Sequence, residues 1–393
     1  MQNVYLVDGA RTAFTSFGGS FASTDVTKLG TVTAVEALKR AGVSPENVGH
    51  VIYGNVIHSS TNAAYLARHI GLEAGVPKEV PALTLNRLCG SGAQAVVSAA
   101  QTIMLDEADI VLAGGAENMS MAPYSNFNQR FNAPKMGSLE FEDMLAATLL
   151  DRYTGSGMGM TAEKLAEQYG ITREEQDAFA AESHRRAAKA AKDGIFAGEI
   201  VGVEVKTRKG TVIIDKDEHI KPETDAESLA KLRAAFKNDG TVTAGNASGI
   251  NDGAASVVVA GERAIERQNL KPLARIVSWG ITGVDPSIMG IGPVPAIRQA
   301  LERSELSLDD IDLIEVNEAF AAQYLSVERE LGLKGDIVNM NGGAIALGHP
   351  VGTSGTRLLL SAARQLQKRN GKYAIASLCI GGGQGIAVVI ERA

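Results

Sequence analysis

Short apolar runs rich in β-branched residues alternate along the chain with alanine-rich stretches whose apolar positions recur every three to four residues. Val51–Tyr53, Ile110–Ala113, Ile311–Val316 and Tyr373–Leu378 are runs of the first kind, and each reads as a buried strand. Ala93–Met104 and Thr356–Gln367 read as helices, and the opening MQNVYLVDG, Met1 to Gly9, reads as a strand entering a turn. Strand and helix patterns in this alternation predict an α/β fold. Thr172-Arg-Glu-Glu175 carries the capping-box spacing and predicts a structural helix running through Phe179, His184 and Ala188 toward Asp193-Gly194.

Compared with itself, the chain repeats. Glu36-Ala-Leu-Lys-Arg-Ala-Gly-Val-Ser44 and Gln299-Ala-Leu-Glu-Arg-Ser-Glu-Leu-Ser307 share Ala, Leu, Arg and Ser at one offset, Leu301 minus Leu38 being 263. The same offset carries Ser44–Val48 onto Ser307–Ile311 and Ser98–Ala100 onto Ser361–Ala363. Three blocks in one register point to an ancient duplication, with two similar halves facing each other. From Met119 to Gly249 the texture differs: Pro, Asn and Met near the start, then two charged helices and the basic segment Lys206-Thr-Arg-Lys209. The expected division is a first half from 1–118 and 250–270, an inserted loop domain over 119–249, and a second half over 271–393.

A chain of 393 residues exceeds what a single small core serves, and 45% hydrophobic residues with 43 glycines suit closely packed sheets and helices. A net charge of −7 without a Lys/Arg run excludes a phosphate-neutralising surface, so no nucleic-acid partner is expected. No apolar stretch approaches a membrane span and no export leader stands at the start, which leads us to expect a cytoplasmic protein with no membrane partner. Two cysteines in a chain this long make no disulfide framework, so each is judged by its surroundings.

Cys89 sits in Leu85-Asn-Arg-Leu-Cys-Gly-Ser-Gly-Ala93, where a strand ends and a helix begins. A helix N-terminus lowers a thiol's pKa and glycines admit a substrate, a setting for a nucleophile; the bland reading is a small buried hydrophobe. Gly90-Ser-Gly-Ala-Gln-Ala95 also fits the dinucleotide-binding pattern, but it lies far from the first βα turn and no acidic strand end follows at the proper distance. Cys379, in Ser377-Leu-Cys-Ile-Gly-Gly-Gly-Gln-Gly385, repeats the setting, and a twofold arrangement brings the two thiols to one site; a disulfide between them is the competing reading. His349 lies in a glycine-rich loop, with Gly348 before it and Pro350 after it, a costly backbone unless the ring must point somewhere specific. Near a cysteine it can serve as the partner of a thiolate, whereas His50, His58, His69, His184 and His219 read as ordinary. Asn317 ends the run Ile311–Val316, where an amide either caps a helix or donates to an oxyanion.

Together Asn86–Gly92, Gly114–Ser120, Thr241–Asp252, Asn317-Glu-Ala-Phe320, Gly342–Pro350 and Cys379–Gly385 closely resemble the thiolase family, over nearly the whole chain and in the family's order. The resemblance implies two βαβαβαββ halves in a five-layered α-β-α-β-α core with the inserted segment over the active site. It implies that Cys89 is acylated, that His349 activates it, and that Cys379 moves the proton at the acetyl α-carbon. Asn317 would hold a water that forms one oxyanion hole with His349, and the backbone N–H groups of Cys89 and Gly381 would form the other. Coenzyme A and acyl-CoA are implied as substrates, without a metal or redox cofactor. Lys221, Ser228, Phe236, Ala244, Ser248, Met158 and Phe320 fall where the family contacts them. Self-association as a homodimer or homotetramer is also implied.

One departure bears on substrate length. Members acting on acetoacetyl chains carry a histidine before Met-Gly where this chain has Gly157, so a roomier acyl pocket is expected. Within the same fold, a decarboxylating condensing enzyme is the competing function, although such enzymes lack a second catalytic cysteine. A non-catalytic acyl-CoA or lipid carrier is the third reading.

Overall fold

The computed structural model describes residues 2–132, 134–208 and 210–393; Met1, Ala133 and Lys209, the last with the end of the basic segment 206–209, lie outside the described residues. In chain order the first half holds β1 (Val4–Arg11), α1 (Val26–Ala41), β2 (His50–Gly54), α2 (Leu66–Glu73), β3 (Ala82–Leu85), α3 (Ser91–Met104) and β4 (Ile110–Asn118). The segment that follows carries α4 (Met158–Tyr169) and α5 (Arg173–Lys192), with three small two-stranded sheets. Then come β5 (Asn251–Gly261), β6 (Ala274–Gly283), α6 (Pro293–Ser304), β7 (Leu313–Val316), α7 (Ala321–Leu331), α8 (Ser354–Arg369), β8 (Tyr373–Ile380) and β9 (Gln384–Arg392). Local signals set the ends: Asp25 caps α1 by accepting from Thr27 N–H, Gly42 closes it in the left-handed region, and Thr172 and Glu175 form the expected capping box on α5.

In the first half the strand order is β3-β2-β4-β5-β1, with β3, β2 and β4 parallel and β5 antiparallel to both its neighbours. In the second, a parallel bridge from Val338 to Ile314 takes the place of β3, and β7-β8-β9-β6 follow in the same sense. The two sheets join edge to edge where β1 pairs antiparallel with β6 through Val4–Ile276, Tyr5–Arg275 and Leu6–Ala274. The offset of 263 holds in three dimensions: β2, α3 and β4 begin at 50, 91 and 110, and β7, α8 and β8 at 313, 354 and 373.

Side-chain alternation along the strands separates the layers. Ile52, Val111 and Ala113 of the first sheet and Ala374, Ala376 and Leu378 of the second point into one shared core with α3 and α8. Val51, Tyr53, Ile110 and Leu112 face the other way, onto α1 and α2, while Ile314, Val316 and Ile375 face α6 and α7. Helices, sheet, helices, sheet and helices therefore stack as five layers, and β4 and β5 are buried along their whole length because both faces are covered.

The middle layer positions the chemistry. A Cβ on Gly92 would lie 2.7 Å from Thr356 N, and one on Gly355 would lie 2.3 Å from Ala93 N. Gly92 and Gly355 are equivalent under the offset, so α3 and α8 touch backbone to backbone on the pseudo-twofold axis, and Thr356 Oγ1 bonds Gly92 O across it. Each helix is entered from a loop at its N-terminus, one carrying Cys89 and the other His349.

Candidate active site

Cys89 follows Leu88, a non-glycine residue held at φ 47°. That turn is fixed by Asn86 Oδ1 accepting from Leu88 N–H at 2.8 Å, by Ser91 Oγ accepting from Arg87 N–H at 2.8 Å and by Ser91 N–H donating to Leu88 O at 2.9 Å. A left-handed leucine is costly, and here the strained residue stands just before the half-buried thiol. Gly381 N–H, in the loop after β8, donates to the Cys89 sulfur. Cys379 is fully buried at the end of β8, and the Cys89 charge raises its pKa further, which puts the two sulfurs within electrostatic reach of each other. Both thiols are free, so the disulfide reading fails.

The expectation of a lowered thiol pKa is corrected. Burial pushes Cys89 up to about 11, outweighing the N–H donors of Gly381 and Cys89 itself, and burial raises Cys379 as well. Burial also pulls His349 down to about 3, with the Arg357 charge adding to it. Both shifts favour the uncharged forms of cysteine and histidine at neutral pH.

His349 is held at both ring nitrogens. Ser354 Oγ donates to Pro350 O at 3.1 Å and lies 2.6 Å from Nδ1, so its oxygen accepts from Nδ1–H. That leaves Nε2 as the basic nitrogen, 3.3 Å from the Asn317 amide, which donates to it. The loop is as constrained as Gly348 and Pro350 suggest: Gly348 has φ 101°, a side chain there would strike Asn251, and Asn251 Oδ1 accepts from His349 N–H at 2.9 Å. Asn317 is fully buried, and its Oδ1 finds no donor among the described residues.

Two carboxylates that the sequence reading did not single out brace these loops. Glu117, at the end of β4, accepts from Val56 and Gly352 N–H on one oxygen and from Ile57 N–H and the Asn55 amide on the other, tying the first half to the loop after His349. Burial pushes it up to about 7 against the three backbone donors Ile57, Val56 and Gly352. Glu318, beside Asn317, accepts from the Ser183 hydroxyl, the Asn339 side-chain amide and the Ile345 N–H and so anchors the glycine-rich loop. An ionisable residue near the end of an otherwise apolar strand is the signal that marks Glu117; Glu318 lies two residues beyond β7 and carries no such signal.

The remaining candidates divide into two groups. Met158 begins α4 with its sulfur 3.3 Å from where a Gly381 Cβ would stand, the Phe236 ring lies against Gly159, and Phe236 meets Phe320 edge to face at 6.1 Å. Ser248 N–H bonds Ala319 O, so these residues form one wall beside the cysteines. Ala244 is exposed on the adjoining loop. Lys221 and Ser228 are exposed. The Ser228 hydroxyl is taken up in its own helix cap with Asp225, while Lys221 N–H donates to His184 Nδ1. A separate cavity of about 940 Å³ lies between α5 and the end of α8, and none of the catalytic candidates lines it.

Comparison with known proteins agrees with this geometry. The family descriptions "Thiolase, N-terminal domain" and "Thiolase, C-terminal domain" match residues 4–263 and 270–392. Human mitochondrial 3-ketoacyl-CoA thiolase is 52% identical over 391 residues, covering 100% of this chain and 98% of its own length. Acetyl-CoA acetyltransferase of Syntrophomonas wolfei is 48% identical over 396 residues, covering 99% of each. The crystal structure of the human enzyme in complex with CoA superposes with a TM-score of 0.96 at 51% identity, covering 100% of this chain and 98% of that one. With both halves matched along the whole chain, this protein belongs to the thiolase family.

Proposed function

We propose that the chain is an acyltransferase that cleaves 3-ketoacyl-CoA, acetoacetyl-CoA included, with CoA and runs the reverse condensation. The observation that carries this reading is the pair of free thiols within electrostatic reach of each other, one under the Gly381 N–H, in a chain that also holds a buried His349 with its Nε2 facing Asn317. In cleavage, the Cys89 sulfur attacks the 3-keto carbon as its proton passes to His349, and the C2–C3 bond breaks. The departing acetyl-CoA enolate is held by His349 Nε2 and by a water on Asn317, and it takes a proton from Cys379. Cys379 then takes the proton of the CoA thiol, whose sulfur attacks the Cys89 acyl group held by the Cys89 and Gly381 N–H groups; the C–S bond to Cys89 breaks, and the leaving Cys89 sulfur takes its proton back from His349. Burial of the site strengthens each of these donors where charge develops, and the covalent stage divides one hard step into two.

In this reading 119–249 is the segment that holds CoA, with Met158, Phe236, Ser248 and Phe320 along the pantetheine and Lys221, Ser228 and Ala244 toward the phosphates and adenosine. The Ser228 role is the backbone's, since its hydroxyl is engaged. CoA and acyl-CoA are substrates, and no metal or redox cofactor takes part. A side chain on Gly157 would meet only Leu149 O, at 3.8 Å, which supports a pocket that accepts chains longer than acetoacetyl. Two free thiols suit a reducing cytoplasm, and no helix among the described residues is long and apolar enough to cross a membrane. Association into a homodimer or homotetramer is supported by the outer edge of β3 with Leu83 exposed and by exposed Phe127, Phe131, Met136 and Phe141; sedimentation at micromolar concentration tests it.

The deciding assay is CoA-dependent cleavage of acetoacetyl-CoA and of a longer 3-ketoacyl-CoA, with Cys89→Ala alongside. Cleavage lost in the variant supports the acyl-cysteine route, and the ratio of the two substrates reports on Gly157. Turnover of a malonyl thioester, with no cleavage of either 3-ketoacyl-CoA, turns the assignment to a condensing enzyme.

A further inference from the structure

Ser354 and Asn317, the two residues that grip the His349 ring, belong to different elements, the first turn of α8 and the end of β7. One buried ion pair spans those elements. Arg357 stands three residues after Ser354, on the same face of α8, and Glu315 two residues before Asn317, on the same face of the strand. Arg357 Nη1 lies 3.3 Å from Glu315 Oε2, with side chains 2% and 1% exposed. Gln365, two turns further along α8, donates to the other Glu315 oxygen at 3.1 Å. The pair makes poor glue. Arg357 Nε and Nη2 are buried without an acceptor among the described residues, and a half-satisfied buried pair recovers little of its desolvation cost. Glu318, Glu199 and Arg11 complete the charged groups around it, and all are buried.

We propose that the Arg357–Glu315 pair is a positioning device for the reaction: by docking α8 on β7 it sets the separation of Ser354 and Asn317, and so the tautomer and direction of His349. Arg357 also lies close enough for its charge to oppose protonation of His349, so one cation fixes the ring and favours its neutral form at rest. The inference rests on the reading of His349 as a reacting group.

The test uses the full-length protein with acetoacetyl-CoA and CoA and the variants Glu315→Gln, Arg357→Lys, Ser354→Ala, Glu315→Gln with Ser354→Ala, and His349→Ala. Glu315→Gln is expected to lower kcat on the order of tenfold to a hundredfold, as a displacement near 1 Å does, with the KM for CoA within twofold. Arg357→Lys, which keeps the cation, should fall between it and the parent. The double variant should be no more than about threefold worse than its worse single member, since both act through one ring. A kcat of Glu315→Gln and Arg357→Lys within twofold of the parent, or fully multiplicative losses in the double variant, overturns the positioning role while an inactive His349→Ala keeps the mechanism. Full activity of His349→Ala removes the mechanism itself. If Glu315→Gln does not fold, Arg357→Lys decides by the same KM-against-kcat split.

Discussion

Adding one methyl group at Gly355 tests whether the spacing of α3 and α8 sets the catalytic geometry. The new Cβ would lie 2.3 Å from Ala93 N, 2.8 Å from Ala93 Cβ and 3.0 Å from Ala93 Cα. Carbon contacts settle near 3.5–4.0 Å, and no flexible side-chain end stands in the way to give ground. The helices must therefore part by about 1 Å at the axis, with an overpacking cost of roughly 1–3 kcal/mol. Cys89 lies two residues before α3 and His349 five before α8, so the same displacement shifts the thiol relative to the imidazole that we propose as its base. A shift of that size costs up to about a hundredfold in rate. Gly355→Ala and its symmetry mate Gly92→Ala should thus lose kcat for acetoacetyl-CoA cleavage by about tenfold to a hundredfold, alongside a lower denaturation midpoint. Gly71→Ala on α2 is the control, because its Cβ would come nearest to the Val51 side chain, at 3.0 Å, rather than to backbone; it should lose stability without losing kcat. If Gly355→Ala unfolds more easily yet keeps kcat within twofold of that control, helix spacing does not govern the site and the reasoning fails.

Three further outcomes are expected. Glu117 is pushed up to about 7 from an ordinary 4.5, so the folded state binds its proton more tightly than the unfolded chain. Its contribution to stability is full below about 4.5 and lost as pH rises through about 7, and urea midpoints of Glu117→Gln should fall less across that window than the parent's; equal slopes refute this. With Cys89 pushed up to about 11, alkylation of the free enzyme by iodoacetamide should quicken steadily from pH 7 to 10, and a plateau below pH 8 would contradict it. Lys221→Ala should raise the KM for CoA several-fold with kcat within twofold, as loss of an exposed phosphate contact does; an unchanged KM places the phosphates elsewhere.

Much of this architecture is legible in residue patterns because each half builds its elements locally. The 263-residue register seen in three blocks of sequence runs through β2, α3, β4 and their mates. Cys89, His349, Asn317 and Cys379 stand out because glycines and strand ends flank them. What stays hidden depends on contacts between distant segments. Glu117 meets Gly352 from 235 residues away, and Arg357 meets Glu315 across two elements, so neither partner is visible in its neighbourhood. The cysteine charge state misleads for the same reason: a helix N-terminus is readable in sequence, whereas the burial that overrides it comes from packing of the whole molecule. Ser228 shows the converse, a plausible ligand hydroxyl that its own turn consumes.

The helix layer shared by the two sheets also governs how the protein can fail. Ala93, Val96 and Ile103 from one half and Leu358, Leu359 and Leu366 from the other fill a single core. A fragment ending near residue 270 would leave that core half empty, with one sheet face bare to water. The repeats are therefore expected to fold as one cooperative unit, so that damage in either is felt by both and separately expressed fragments become soluble only by finding each other.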